Sequence, residues 1–370
     1  MISSDDSTGA PRKPEGKCKA MVVCFILGLG SLVSWNSMLT IGDYYYEVFP
    51  WNLATSGKGG IVAYIGILVA AACFGIAGGH VEGGMVGDLC FMCPEFIQSY
   101  LAGFAASGAL TSLLRMLTKL AFEKSHNGLR KGAILFLAIS TFIEFLCIFL
   151  YSICFTKLPI VKYYRSKAAL EGSKTVSADL AAAGIQTKTH DHDLVGYDNK
   201  HGERLSKKQL FLENLDYAAT LFLIFLVTLS IFPGFLYENT GSHQLGTWYP
   251  IVLITMYNVV DLISRYIPLV QWLKLESRKG LLIVSLSRFL LIPAFYFTAK
   301  YGDQGWMIVL TSFLALTNGY LTVCVLTVAP RGYKGPEQNA LGNLLVLSLL
   351  CGICSGAILD WLWLIGKGTF

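Results

Sequence analysis

MYNVVDLISR, residues Met256 to Arg265, is the stretch on which the fold turns. It places Asp261 and Arg265 in the middle of an apolar run from Trp248 to Val270. On a helix, Asn258, Asp261 and Arg265 stand at i, i+3 and i+7 and share one face. A charge at bilayer depth costs at least about 2.5–3.5 kcal/mol on insertion scales, so such a face meets a partner or a water-filled cavity rather than lipid. Asp261 and Arg265 are one turn apart and offset each other in part. Two readings follow: a structural ion pair inside a helix bundle, or the polar wall of a solute pathway.

The rest of the 370-residue chain explains why a helix at bilayer depth is the right frame. It is 54% hydrophobic and 14% charged, where soluble domains carry about 25% charged residues. The composition is that of an all-α polytopic membrane protein. The net charge of +5 comes from basic residues in loops between apolar runs, so no nucleic-acid partner is expected. Several of the ten cysteines (Cys24, Cys73, Cys147, Cys324) lie inside those runs and read as small packing residues. Cys90-Phe-Met-Cys93 and Cys351-Gly-Ile-Cys354 have redox or zinc spacing, but neither has a nearby histidine or a second pair in its loop. His190, His192 and Asp193 fall in a polar loop and read as a chance cluster. No metal and no cofactor is expected.

Apolar runs of spanning length, about 20 residues, occur at 20–41, 59–86, 95–122, 131–156, 212–237, 248–271, 280–300, 305–329 and 340–365, about nine in all. They divide the chain into a polar amino-terminal tail (1–19), an amino-terminal bundle of about four spans (20–157), a polar linker (158–211) and a carboxy-terminal bundle of about five spans (212–370). The first run is long and lacks a small-residue cleavage site, so it is expected as an uncleaved first helix. With the amino terminus inside, 19 of the 29 lysines and arginines fall on the inner side and 7 on the outer, with Arg115, Arg265 and Arg288 within spans. That bias predicts a cytosolic amino terminus and cytosolic linker, with the carboxy terminus outside. The plasma membrane is the expected location.

Several further polar residues lie within the spans. Gly75, Gly79, Gly83 and Gly87 repeat a GxxxG spacing in the second span, and Gly103, Ser107 and Thr111 echo it in the third; both patterns predict close helix contacts. His80 and Glu82 sit among the first set and read equally as polar glue or as pathway lining. Glu144 is alone in the fourth span, Arg288 lies five residues before Pro293, and Asp360 is near the outer end of the last span. Arg115 is close enough to its helix end to snorkel. Trp35-Asn36 offers a ring and an amide to a ligand from the outer half of the first helix. Enzyme signatures are absent: Gly84-Met-Val-Gly87-Asp88 has one residue too many for GxGD, Ser56-Gly-Lys58-Gly-Gly60 lacks the phosphate-loop pattern, and there is no HExxH or GxSxG. A non-enzymatic membrane protein is expected.

Four stretches together resemble one family, the equilibrative nucleoside transporters. LGLGSLVSWNSMLTIGDYYYEVFP resembles its first-helix motif, and GGMVGDLCFMCPEFIQSYLAGFAASGALTS its fourth and fifth helices, in wording typical of the plant branch. MYNVVDLISR resembles the eighth-helix motif, and LTNGYLTVCVLTVAP the tenth-helix motif built on Asn-Gly-Tyr. The resemblance runs from residue 21 to about 365 in order. It implies a fold like the major facilitator superfamily, two bundles around a central site, alternating access, and purine or pyrimidine nucleosides as solutes. Plant-branch relatives are often proton-coupled. The matching positions imply that Trp35 packs against the base, with Asn36 and Leu39 beside it. Asn258, Asp261 and Arg265 contact ribose and base, while Arg288 and Asn318 support the cavity. Asp261 and Glu144 are the candidates for a coupled proton. A nucleoside suits this chemistry, since it has a face to stack, edges to hydrogen-bond, and hydroxyls for a carboxylate–guanidinium pair.

One departure stands out. The family has eleven spans, and its second and third helices are missing here between about Pro50 and Leu53. Losing a pair preserves the orientation of every later helix but opens one wall of the amino-terminal bundle. The expected function is therefore a nucleoside transporter in the lipid bilayer, with protons as coupling ion. The alternatives are a transport-dead, shortened paralogue that binds nucleoside or regulates a full-length carrier, and a carrier for another solute.

Overall fold

A computed structural model describes residues 16–40, 60–122, 128–182, 205–238, 246–301, 304–360 and 362. Its regular elements are helices: α1 (Lys17–Thr40), α2 (Gly60–Cys90), α3 (Pro94–Phe122), α4 (Gly128–Phe149), α5 (Pro159–Ala182), α6 (Lys207–Glu213), α7 (Leu215–Leu229), α8 (Tyr249–Ser264), α9 (Arg278–Ser287), α10 (Leu291–Tyr301), α11 (Gln304–Val328) and α12 (Pro336–Asp360). Nine segments among the described residues are long and apolar enough to cross a membrane: 17–38, 68–90, 94–122, 130–157, 215–236, 249–269, 278–301, 304–332 and 336–360. The chain is an all-α polytopic membrane protein. Hydroxyls within the spans bond back to their own helix, as Thr111 does to the Ser107 carbonyl at 2.9 Å and Thr322 to the Asn318 carbonyl at 2.7 Å. This satisfies polar groups that lipid cannot.

Close helix contacts fall where small residues allow them. A Cβ on Gly103 of α3 would lie 2.0 Å from the Phe25 carbonyl oxygen, and one on Gly28 of α1 would lie 2.0 Å from that of Tyr100. α1 and α3 therefore touch backbone to backbone. The α2 stripe divides: Gly87 and Gly83 face Asn343 of α12, while Gly75 has nothing within 4 Å. Just beyond α7, the Phe235 amide donates to Asp360 Oδ1 at the end of α12 at 3.1 Å.

Within the first four spans, α1 packs on α3 and α4; within the last five, α7 packs on α9, α11 and α12, and α8 on α11. Two seams join these groups: α3 against α8, and α2 against α12. Lys17 pairs with Glu95 at 2.7 Å, so α1 and α3 begin at the same end of the molecule. At that end one apolar core runs through both groups, from Leu89 and Phe96 to Leu221, Val325 and Leu345. Towards the opposite end a second core, with Ile231, Leu253 and Phe295, belongs to the last five spans alone. The molecule is sealed on the side where α1 begins.

Two expectations change. Arg115 does not reach to the helix end: it is 1% exposed, with a guanidinium nitrogen lined up beside Gly132 of α4. The reason is that α3 continues to Phe122 and α4 lies over the residue. The polar linker opens with helix α5 rather than a loop, because Ile160, Val161 and Tyr164 give its first turns an apolar side. Arg165 of α5 pairs with Asp88 of α2, fixing this helix to the sealed end. The His190–Asp193 cluster and the Pro50–Leu53 junction lie outside the described residues.

Candidate functional site

The ten residues from Met256 to Arg265 cover α8 from its middle to its end, and each polar one has a partner. Arg265 donates through Nε to Asp261 Oδ2 at 2.9 Å, and its Nη2 lies 2.9 Å from the same oxygen. Its Nη1 donates to the Leu101 carbonyl of α3 at 2.9 Å. Asn258 donates to Ser112 Oγ, also on α3, at 2.7 Å. Gln98 of α3 donates to the Arg265 carbonyl at 3.3 Å. The charged turn of α8 thus holds the α3–α8 seam. The same ion pair also faces a cavity.

That cavity, about 110 Å³, lies between the two groups of helices. From the first four spans come Trp35 and Asn36 of α1 and Glu82 of α2, and from the last five come Asn258, Asp261, Arg265 and Asn318. Phe104, Phe232 and Tyr257 supply aromatic wall, and Tyr257 stacks on Phe232 with centroids 4.0 Å apart at 16°. Trp35 stays 36% exposed at its edge. Asn36 is held by Ser107 Oγ.

The Asn318-Gly-Tyr320 motif of α11 has a separate physical reason at each position. Asn318 donates to Asp261 Oδ1 at 3.0 Å. A Cβ on Gly319 would lie 2.1 Å from Ser264 Oγ and 2.9 Å from Asp261 Oδ1, so glycine is what lets α11 come this close to α8. Tyr320 donates to the Leu273 carbonyl at 2.6 Å and accepts from the Leu275 amide at 3.1 Å, tying down the chain that follows α8.

Six of the residues expected at the site line the cavity: Trp35, Asn36, Asn258, Asp261, Arg265 and Asn318. Arg288, in the break between α9 and α10, is 2% exposed and does not line it. It donates to Thr228 Oγ1 at 2.8 Å, and Thr228 donates to Asn318 Oδ1 at 2.9 Å, so it supports the wall from behind. Leu39 lies on α1, but its side chain is outside the described residues. Glu144 sits half-buried on α4 and is not part of the cavity lining. The residue that the sequence flagged without assigning is Glu82, and its signal was a lone carboxylate among glycines. Thr228 gave no signal, since a threonine in an apolar helix is ordinary.

A stack of apolar helices enclosing a small cavity, lined by aromatic rings and a buried carboxylate–guanidinium pair, suits a membrane transport protein. A family model described as "Nucleoside transporter" matches residues 68–365, and the chain belongs to that family. It is 59% identical to the Arabidopsis thaliana protein called equilibrative nucleotide transporter 3, over 96% of this chain and 97% of that one. It is 57% identical to equilibrative nucleotide transporter 5 over 97% of each, and 51% identical to equilibrative nucleotide transporter 2 over 96% and 97%, both from the same plant. The plant-branch resemblance holds. The first of these alignments runs over 409 positions, and 96% of 370 residues is about 355, so about 54 positions carry no residue of this chain. That length suits two spanning helices of about 20 residues each and their connections.

Proposed function

We propose that this protein carries nucleosides across a membrane by alternating access, binding them in the cavity between Trp35 and the Asp261–Arg265 pair. The observation that carries the reading is the composition of that cavity. Aromatic rings from both helix groups suit a nucleobase, and the ion pair, Asn258 and Asn318 suit ring edges and ribose hydroxyls. At about 110 Å³ the cavity is smaller than the roughly 300–1,000 Å³ usual for ligand pockets. Entry of a nucleoside therefore requires the two helix groups to part on the side away from the shared core.

The charge of the cavity supports a neutral solute. The one guanidinium lining the cavity, that of Arg265, is already paired with Asp261, so a phosphate meets no unpaired cation there. An added phosphate would be buried without a counter-charge of its own, which is costly. The relatives' names speak of nucleotides and the family description of nucleosides; the cavity favours the nucleoside, purine or pyrimidine.

A coupled proton is best carried by Glu82. Both oxygens of Asp261 already accept hydrogen bonds, from Asn318 and Arg265, and protonation would break them. Glu144 stands outside the cavity lining. The bias of basic residues supports a cytosolic amino terminus, and a carrier of external nucleosides belongs in the plasma membrane. The reading is tested by uptake of labelled adenosine and uridine in cells without their own carriers, at two external pH values, with surface expression confirmed. Saturable uptake supports it. Nucleoside binding without flux would instead make the chain a transport-dead paralogue.

A further inference from the structure

The hydrogen bonds behind Asp261 run in one direction only. Arg288 donates from Nη2 to Thr228 Oγ1 at 2.8 Å, Thr228 to Asn318 Oδ1 at 2.9 Å, and Asn318 Nδ2 to Asp261 Oδ1 at 3.0 Å. Arginine has no acceptor and a carboxylate has no donor, so the two groups between them cannot reverse. Thr228 must accept from Arg288, which leaves its single hydrogen as the only thing it can give. Two acceptors lie within reach: the Ile224 carbonyl at 2.8 Å and Asn318 Oδ1. The Ile224 carbonyl already accepts from Arg288 Nη1 at 2.8 Å, whereas among the described residues Thr228 is the donor to Asn318 Oδ1. The hydrogen therefore serves Asn318.

We propose that Thr228 is a positioning residue for solute recognition: its hydroxyl fixes the Asn318 carboxamide with the NH2 towards Asp261. This holds the carboxylate in one place and leaves its remaining lone pairs for solute donors. The relay joins α7, the α9–α10 break, α11 and α8, and all four residues are 4% exposed or less. Thr228, Asn318 and Asp261 also line the cavity, while Arg288 lies behind them. Arg288 is itself anchored independently of Thr228 by Thr317 Oγ1 at 3.0 Å and the Leu314 carbonyl at 3.3 Å. Removing the Thr228 hydroxyl thus leaves Arg288 held but leaves Asn318 Oδ1 without its donor, so the carboxamide is free to swing away from Asp261.

This inference rests on the nucleoside reading of the cavity. Its test is the adenosine KM and the Vmax per surface molecule, measured by labelled uptake in carrier-deficient cells for the wild type, T228V and T228S. Valine keeps the shape and removes the hydroxyl; serine keeps the hydroxyl. The expected result is a KM about fivefold to tenfold higher in T228V, with Vmax within about twofold. T228S restores the KM to within about twofold of wild type. A purely structural role would lower surface amount and Vmax instead. If T228V does not reach the membrane, T228A carries the same prediction. An unchanged KM in the hydroxyl-free variant, or equal damage in T228S, overturns the proposal while leaving the nucleoside reading intact. Absence of uptake by the wild type overturns both.

Discussion

Arg265 of α8 donates through Nη1 to the carbonyl oxygen of Leu101 on α3 at 2.9 Å. The same guanidinium binds Asp261 through its other two nitrogens. One side chain thus closes a charge pair within the last five spans and fastens them to the first four. Under the proposed alternating access, this contact links the cavity to the seam that has to open.

The first prediction concerns that guanidinium. Arg265→Lys keeps the charge but cannot bond Asp261 twice and reach Leu101 at once. Adenosine uptake per surface molecule should fall at least about tenfold. Asp261→Ala should be worse, because it leaves a buried guanidinium unpaired, at about 3–5 kcal/mol. A lowered melting temperature in detergent checks it, and the double variant D261A/R265L should recover stability without recovering uptake.

Gly319 sets how closely α11 approaches α8. Gly319→Ala should lower the melting temperature and uptake together, because its Cβ would meet Ser264 Oγ at 2.1 Å and the Asp261 carbonyl at 2.7 Å. Adding S264A should restore only part of the loss, since the carbonyl remains. Gly75→Ala, with nothing within 4 Å, should leave both values unchanged.

Solute charge is a third point of attack. Adenosine should compete with labelled uridine at concentrations where adenosine monophosphate does not, by at least about tenfold. Equal competition by the two would show that the cavity does not select against phosphate.

Proton coupling separates Glu82 from Glu144. If Glu82 carries the proton, wild-type uptake rises at acidic external pH, and Glu82→Gln flattens the profile. Glu144→Gln should keep the wild-type pH dependence. The reverse pattern moves the coupling site to α4.

The sequence made some of this legible for physical reasons. The spans could be read because lipid imposes a length and an apolar composition on each, and the ends of the nine segments match those read from the chain to within nine residues. The Asp261–Arg265 face could be read because charge at that depth is costly. Arg115 was misread because distance from a helix end says nothing of a second helix lying over it. Helix α5 was hidden in a polar linker because its buried apolar residues, such as Ile160 and Val161, sit in its first turn and the rest of its sequence is polar. The role of Thr228 depends on which side of α7 meets Arg288 and Asn318, and no local pattern carries that.

The central claim is that a chain with about 54 fewer aligned positions than its relatives still forms a working nucleoside site between its helices. Purified protein reconstituted into liposomes, and offered labelled adenosine, tests it most directly. The account predicts saturable uptake that is lost in Asp261→Asn. Uptake no greater than that of empty liposomes, from protein that is folded and inserted, would contradict it.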